Sequence, residues 1–109
     1  MKTVTYRHDW GSNLNTEDEM VEKFGKLLVD INTSEDYQQE TSSLFYNPKT
    51  RKYTWIDSNG CSCWDGDYDG WELTKEEMLT IAKKKVENKR DWREAAEDIV
   101  AQWIVDHRK

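Results

Sequence analysis

Several residue types and patterns are scarce in this chain of 109 residues. Its two cysteines, Cys61 and Cys63, are one residue apart, which excludes a disulfide framework and indicates reduced thiols. No apolar run approaches the ~20 residues of a membrane-spanning helix, and residues 1–5 lack the apolar stretch of a signal peptide. There is no repeat, low-complexity tract or linker, and the only proline is Pro48. We therefore expect a single cytoplasmic domain over residues 1–109.

Motifs of catalysis are also missing. The sequence has no Gly-rich phosphate loop, no His-Glu-x-x-His and no nucleophile elbow. Carboxylates are so abundant, at 22 Asp and Glu, that pairs of them carry little information. The aspartates around Cys61 and Cys63 oppose the thiolate form that a nucleophilic cysteine needs. The sequence predicts a protein that is not an enzyme.

Charge and aromatic residues dominate what is present. The net charge is −6, and six Trp, five Tyr and two Phe accompany a charged fraction of 35%. Aromatic side chains bury large areas and support a small core, which argues against disorder. The acidic field repels nucleic-acid phosphates and anionic membranes. It suits a protein partner with a basic surface.

Three capping boxes predict the helix starts, because each places a short polar residue three positions before a glutamate. The cap residues are Thr16, Thr74 and Asp91. Apolar residues with helical spacing follow each box, over residues 20–31, 78–86 and 92–104.

The remaining chain carries strand patterns. Residues 2–8 alternate as a half-buried strand. A turn over residues 47–50 joins strands at 44–46 and 53–56, and Asn59-Gly60 predicts a second hairpin turn that folds residues 61–64 back.

Polar residues 32–41 predict a loop. The resulting order is β-α-β-β-β-α-α. It predicts an α+β fold in which a small antiparallel sheet, an N-terminal strand plus a β-meander, packs against three helices on one face.

The acidic segment 65–76 matches the pattern D-x-[DN]-x-[DN]-G-x5-E at every specified position. These positions are Asp65, Asp67, Asp69, Gly70 and Glu76. Alternate carboxylates would point at one cation, Gly70 would allow a sharp turn, and the Trp71 carbonyl would add an oxygen. By these residues the segment resembles an EF-hand calcium loop. The resemblance implies calcium binding by Asp65, Asp67, Asp69, Trp71 and Glu76.

The same segment departs from the EF-hand family in two respects. A predicted strand rather than a helix precedes Asp65, and Glu72 occupies a position that is usually aliphatic. A lone loop of this kind would bind calcium in the range ~10⁻⁴ to 10⁻³ M. The alternative is an acidic turn whose carboxylates are stabilised at a helix N-terminus.

Two further clusters allow two interpretations each. Cys61 and Cys63 with His8 and His107 suggest zinc, but the close cysteine spacing and the distant histidines favour free thiols. The basic run over residues 83–93, with Trp92, suggests nucleic-acid binding by charge and stacking. The net charge favours a solvated helix C-terminus there instead.

The six tryptophans divide by their positions in the predicted elements. Trp55, Trp92 and Trp103 follow strand or helix spacing, so we expect them in the core. Trp10, Trp64 and Trp71 lie at element ends, where they either cover a small core or anchor a partner.

The turn Gly60-Cys61-Ser62-Cys63, in a short, acidic, Trp-rich chain, resembles small proteins encoded by bacteriophages. The resemblance implies no defined activity, but it does imply a class that binds and blocks host proteins, sometimes by imitating DNA charge. We therefore expect an acidic protein-binding module in the host cytoplasm that inhibits a nucleic-acid-handling or defence protein. The expected binding residues are Asp65, Asp67, Asp69, Glu72, Trp64 and Trp71. The oligomeric state stays open.

Overall fold

The computed structural model describes residues 1–7, 11, 13–34, 38–61, 67–88 and 95–108, except for the side chain of Cys61. These residues form five strands and three helices. In chain order they are β1 (Lys2–Arg7), α1 (Thr16–Phe24), β2 (Lys26–Asn32), β3 (Gln38–Asn47), β4 (Lys52–Cys61), β5 (Asp67–Leu73), α2 (Lys75–Glu87) and α3 (Ala96–His107). The predicted α+β class is confirmed, with one strand more than expected.

The strands form one antiparallel sheet in the order β1-β5-β4-β3-β2. β2 to β5 are a meander, and β1 adds to its β5 edge. The central strand is therefore β4, and its Trp55 pairs with Leu44 of β3 and Trp71 of β5.

The two faces of the sheet carry separate cores, because successive strand residues point to opposite sides. On one face α2 and α3 cover a core that includes Leu44, Trp55, Leu73, Met78, Val100 and Ile104. On the other face α1 covers a core of Tyr6, Met20, Phe45, Ile56 and Tyr68. The expectation that all helices pack on one face is wrong, since Met20 of α1 reaches the second core.

The first helix is shorter than the apolar spacing predicted. It ends at Phe24, and residues 26–32 form β2. Gly25 separates the two elements at φ 105, where an added Cβ would collide with the Tyr46 carbonyl oxygen and lie 2.8 Å from the Asn47 Cα. A register shift between Leu27 and Val29 lets this strand bury its consecutive apolar residues, with Leu27 against the core under α1 and Leu28, Val29 and Ile31 against the other core. Pairing with β3 overrides the helical pattern.

Of the two predicted capping boxes that the structure describes, one is confirmed. Thr74 caps α2 as predicted, because its Oγ1 accepts from Glu77 N at 3.2 Å and its N–H donates to Glu77 Oε1 at 2.9 Å. The cap of α1 is Asn15 rather than Thr16, and its Oδ1 accepts from Asp18 N at 2.8 Å. The Asp91 box lies outside the described residues, and α3 begins at Ala96.

The predicted turn after β3 is confirmed, whereas the Asn-Gly turn is wrong. Residues 48–51 reverse the chain, with Asn47 accepting from Arg51 N at 2.8 Å. Asn59 and Gly60 instead continue β4 and pair with Glu40 and Gln39. The loop expected over residues 32–41 is also wrong from residue 38 onward, where β3 begins. Long-range pairing of these two strands outweighs local turn propensity.

None of the helices that the structure describes is both long enough and apolar enough to cross a membrane.

Candidate functional site

The acidic segment is a strand over much of its length, not the loop that the sequence indicated. Residues 67–73 form β5, which pairs with β1 on one side and β4 on the other. Gly70 makes no turn. It lies in this strand, where an added Cβ would collide with the Trp55 carbonyl oxygen and lie 2.6 Å from the Ile56 Cα. The absence of a side chain at Gly70 therefore allows β4 and β5 to approach closely.

Strand alternation divides the expected binding residues between the two faces. Asp67 and Asp69 are exposed on the side of α2 and α3, together with the half-buried Trp71. Glu72 points to the opposite face, where its Oε1 is 3.6 Å from Lys52 Nζ. Asp65 and Trp64 lie outside the described residues. The structure thus brings together three of the expected residues and separates Glu72 from them.

The predicted calcium ligands that the structure describes are divided between β5 and α2. Asp67 and Asp69 are on β5, whereas the exposed Glu76 follows in the first turn of α2. Within residues 67–88 and the other described ranges, no three His, Cys, Asp or Glu side chains are placed to hold a metal ion. Asp65, the first predicted ligand, is not among those residues. Calcium binding stays an alternative that the described residues do not test.

Of the four candidate zinc ligands, the structure describes the side chain of only His107. His107 stacks on Trp103 with ring centroids 4.8 Å apart, and its Nδ1 is 2.9 Å from the Trp103 carbonyl oxygen. His8, Cys63 and the Cys61 side chain lie outside the described residues.

The structure shows a cleft that the sequence did not single out. It is open, has a volume of about 900 Å³, and lies between the sheet, the end of α2 and the start of α3. Side chains of Glu40 and Asp57 approach it from the sheet face that carries α2 and α3. Lys84 and Lys85 line it from α2, Trp71 lines it from β5, and residues 95–98 line it from the N-cap and first turn of α3.

Asp57 is the most perturbed group of this cleft. Its Oδ1 is buried and has no hydrogen-bond partner. Burial, and to a smaller extent the neighbouring charge of Glu97, raises the pKa of Asp57 from its ordinary value of 3.8 to about 6. Ser42 and Lys85 lower that pKa in part, through a hydrogen bond and a positive charge. A carboxylate with a strongly shifted pKa in a cleft marks a candidate functional site.

The surrounding charges tie both helices to the sheet. Lys85 Nζ is 3.3 Å from Glu97 Oε2 and 6.0 Å from the centroid of the Trp55 ring. Glu40 Oε1 accepts from Ala96 N at 3.1 Å, so a strand carboxylate caps α3. Of the basic run, Lys83 and Lys84 are exposed. Lys89, Arg90, Trp92 and Arg93 lie outside the described residues.

The cleft and the aspartates of β5 share one surface. Asp57 and Asp69 are directly opposite each other on β4 and β5, which places their Cβ atoms about 5 Å apart. We call the surface formed by Asp57, Asp67, Asp69, Trp71 and Glu97 the acidic face. One signal for it was readable in the sequence, since Asp57 continues the alternation of the core residues Tyr53 and Trp55.

No protein-family model, curated protein or solved structure matched the chain. The chemistry of the acidic face therefore rests on its own residues.

Proposed function

We propose that the chain is a non-enzymatic protein-binding module that binds a basic partner through its acidic face. The observation that carries the proposal is the exposure of Asp67 and Asp69 on the sheet face where Asp57 and Trp71 line the cleft. Carboxylates on one face of a chain with net charge −6 attract and orient a positively charged surface. A half-buried tryptophan beside them supplies apolar contact area.

The partner class that suits this face is a nucleic-acid-handling or defence protein. Such proteins present lysine and arginine side chains to phosphates, and the exposed carboxylates of β5 would compete for those side chains. The resemblance of the Gly60–Cys63 segment to bacteriophage proteins supports a host protein as the target. Binding would therefore inhibit the partner by occupying its phosphate-binding surface.

Nucleic acid itself suits the described surface less well. Lys83 and Lys84 are exposed, but Lys85 is half-buried and paired with Glu97 at 3.3 Å. Carboxylates of the acidic face begin next to that pair and would repel a phosphate backbone. Direct DNA or RNA binding is an outcome that the experiment must separate from protein binding.

The test is affinity capture from a host lysate, with and without nuclease treatment, followed by titration of the purified captured protein over a salt series. We expect capture by the wild type, weaker binding as salt rises, and loss of binding for the double variant D67N/D69N. The matched control is E17Q/E22Q, which removes the same charge from exposed positions of α1.

Equal binding by wild type, D67N/D69N and the control would contradict the electrostatic proposal. Binding that requires nucleic acid, and that disappears after nuclease treatment, would assign the interaction to the basic run instead.

A further inference from the structure

Resting on the proposed function, the geometry points to the cleft at Asp57 as the place where an arginine side chain of the partner inserts. The acidic strand β5 would attract the basic surface, and the cleft would hold one of its guanidinium groups. Three features of the described residues carry this assignment: an unsatisfied carboxylate oxygen, an excess of acidic groups, and an aromatic ring at the same opening.

The unsatisfied oxygen is Asp57 Oδ1. It is buried and without a hydrogen-bond partner, although Asp57 borders an open cleft of about 900 Å³. A buried acceptor left without a donor is costly to the fold. If the Asp57 carboxylate turns toward the cleft, an entering N–H group would satisfy this oxygen, and a charged donor would do so most strongly.

The charges lining the cleft leave room for a cation. Four carboxylates line it, from Glu40, Asp57, Glu97 and Asp98, against three cationic residues, Lys84, Lys85 and Met1. The amino group of Met1 is already paired with Glu77 Oε2 at 2.7 Å. Lys85 already contacts Glu97 at 3.3 Å and lies over the Trp55 ring. It lowers the pKa of Asp57, yet burial and Glu97 outweigh it. A further positive group is therefore complementary to this site.

Arginine suits the groups at the opening better than lysine does. Trp71 is half-buried, lines the cleft and lies on the strand that also carries Asp67 and Asp69. A guanidinium group is planar, stacks on aromatic rings and donates to carboxylates through two parallel N–H groups. A compact ammonium group offers neither the plane nor the paired donors.

The test uses N-acetyl-arginine amide, with N-acetyl-lysine amide as the comparison, titrated into the whole chain and followed by residue-resolved NMR. We expect saturable shifts in the millimolar range at the Trp71 indole and around Asp57 and Glu97, with weaker lysine binding. D57N and E97Q should each weaken arginine binding about tenfold, because each removes a charged acceptor. D106N is the control, since the exposed Asp106 lies in the last turn of α3.

A pH series adds a readout that a structural role would not change. Arginine binding should weaken as the pH falls from about 7 to about 5, because Asp57 has a pKa of about 6 and loses its charge there. The other charged groups facing it are Glu40, Asp69, Lys84, Lys85, Glu97 and Asp98. D57N should abolish the part of the pH dependence that is centred near 6.

Shifts confined to other surfaces, or equal arginine binding by wild type, D57N and E97Q, would overturn the inference. The proposed function fails by a different result, which is the absence of any captured basic partner or equal capture by D67N/D69N. If D67N/D69N loses capture while arginine amide leaves the cleft unperturbed, the acidic face binds its partner without the insertion.

Discussion

Asp57 and Asp69 face each other across the β4–β5 ladder, and both point to the side of the sheet that carries α2 and α3. Like charges directly opposite in a sheet destabilise it. Here one of the two is exposed, while the other has a buried oxygen without a hydrogen-bond partner. A pair of this kind lowers the stability of the fold. Charged groups that lower stability are typical of binding sites.

The stability cost of Asp57 should depend on pH. Its folded-state pKa of about 6 exceeds the ordinary 3.8, so the folded chain binds more protons than the unfolded chain between these values. The cost is therefore absent below about pH 4, develops as the pH rises, and is complete above about pH 6. At pH 7 we expect D57N to raise the free energy of unfolding by about 2 kcal/mol. Denaturant unfolding at several pH values measures this difference.

The same measurement at about pH 4 should show little difference between D57N and the wild type, since both side chains are then neutral. D106N, at an exposed position of α3, provides the control for the loss of one negative charge. A D57N variant that keeps the wild-type pH profile would show that Asp57 titrates normally.

Replacing Gly70 by alanine tests the strand directly. An added Cβ would meet the backbone of Trp55 and Ile56, which are part of the central strand and move only if β4 and β5 separate. We expect G70A to destabilise the fold by about 3 kcal/mol or more, as overpacking does in its severe cases. Thermal or denaturant unfolding measures it. D69A, at the adjacent exposed position, should change stability far less, and equal effects would contradict the strand assignment.

The two caps that sequence and structure assign differently to α1 can be separated by alanine substitution. N15A should cost about 1 kcal/mol, because Asn15 Oδ1 accepts from Asp18 N. T16A should cost less than about 0.5 kcal/mol, since Thr16 is already inside the helix. T74A, at the confirmed capping box of α2, provides a positive reference near 1 kcal/mol. A larger loss of stability for T16A than for N15A would support the capping box that the sequence predicted at Thr16.

The calcium prediction has a simple optical test, because Trp64 and Trp71 lie in or beside the predicted loop. Bringing Asp67, Asp69 and Glu76 around one ion would break the pairing of β5 with both neighbouring strands. We therefore expect tryptophan fluorescence to stay flat up to about 10 mM calcium, well above the range of a lone loop. A saturable change that disappears in both D69N and E76Q would establish the calcium site instead.

Much of the fold was readable from local patterns. Alternation predicted β1, a capping box predicted the start of α2, and apolar spacing predicted the helical face of α3 that contains Val100 and Ile104. The misassignments share one cause. Residues 26–32, Asn59-Gly60 and residues 67–73 each satisfy a local pattern for a helix or a turn, but distant strands pair with them. Pairing with a distant strand cannot be read from the spacing of neighbouring residues.

The acidic face divides in the same way. The sequence by itself determined the negative charge, the cluster of aspartates over residues 65–69 and the flanking tryptophans Trp64 and Trp71, because these depend only on residue identity. Only the tertiary structure decided that Glu72 points away, that Asp57 lies opposite Asp69, and that Asp57 lines a cleft with Glu97. Strand register and helix packing determine which side chains share a surface and which carboxylate is buried from solvent. These are properties of contacts between segments far apart in the chain, so no local pattern encodes them.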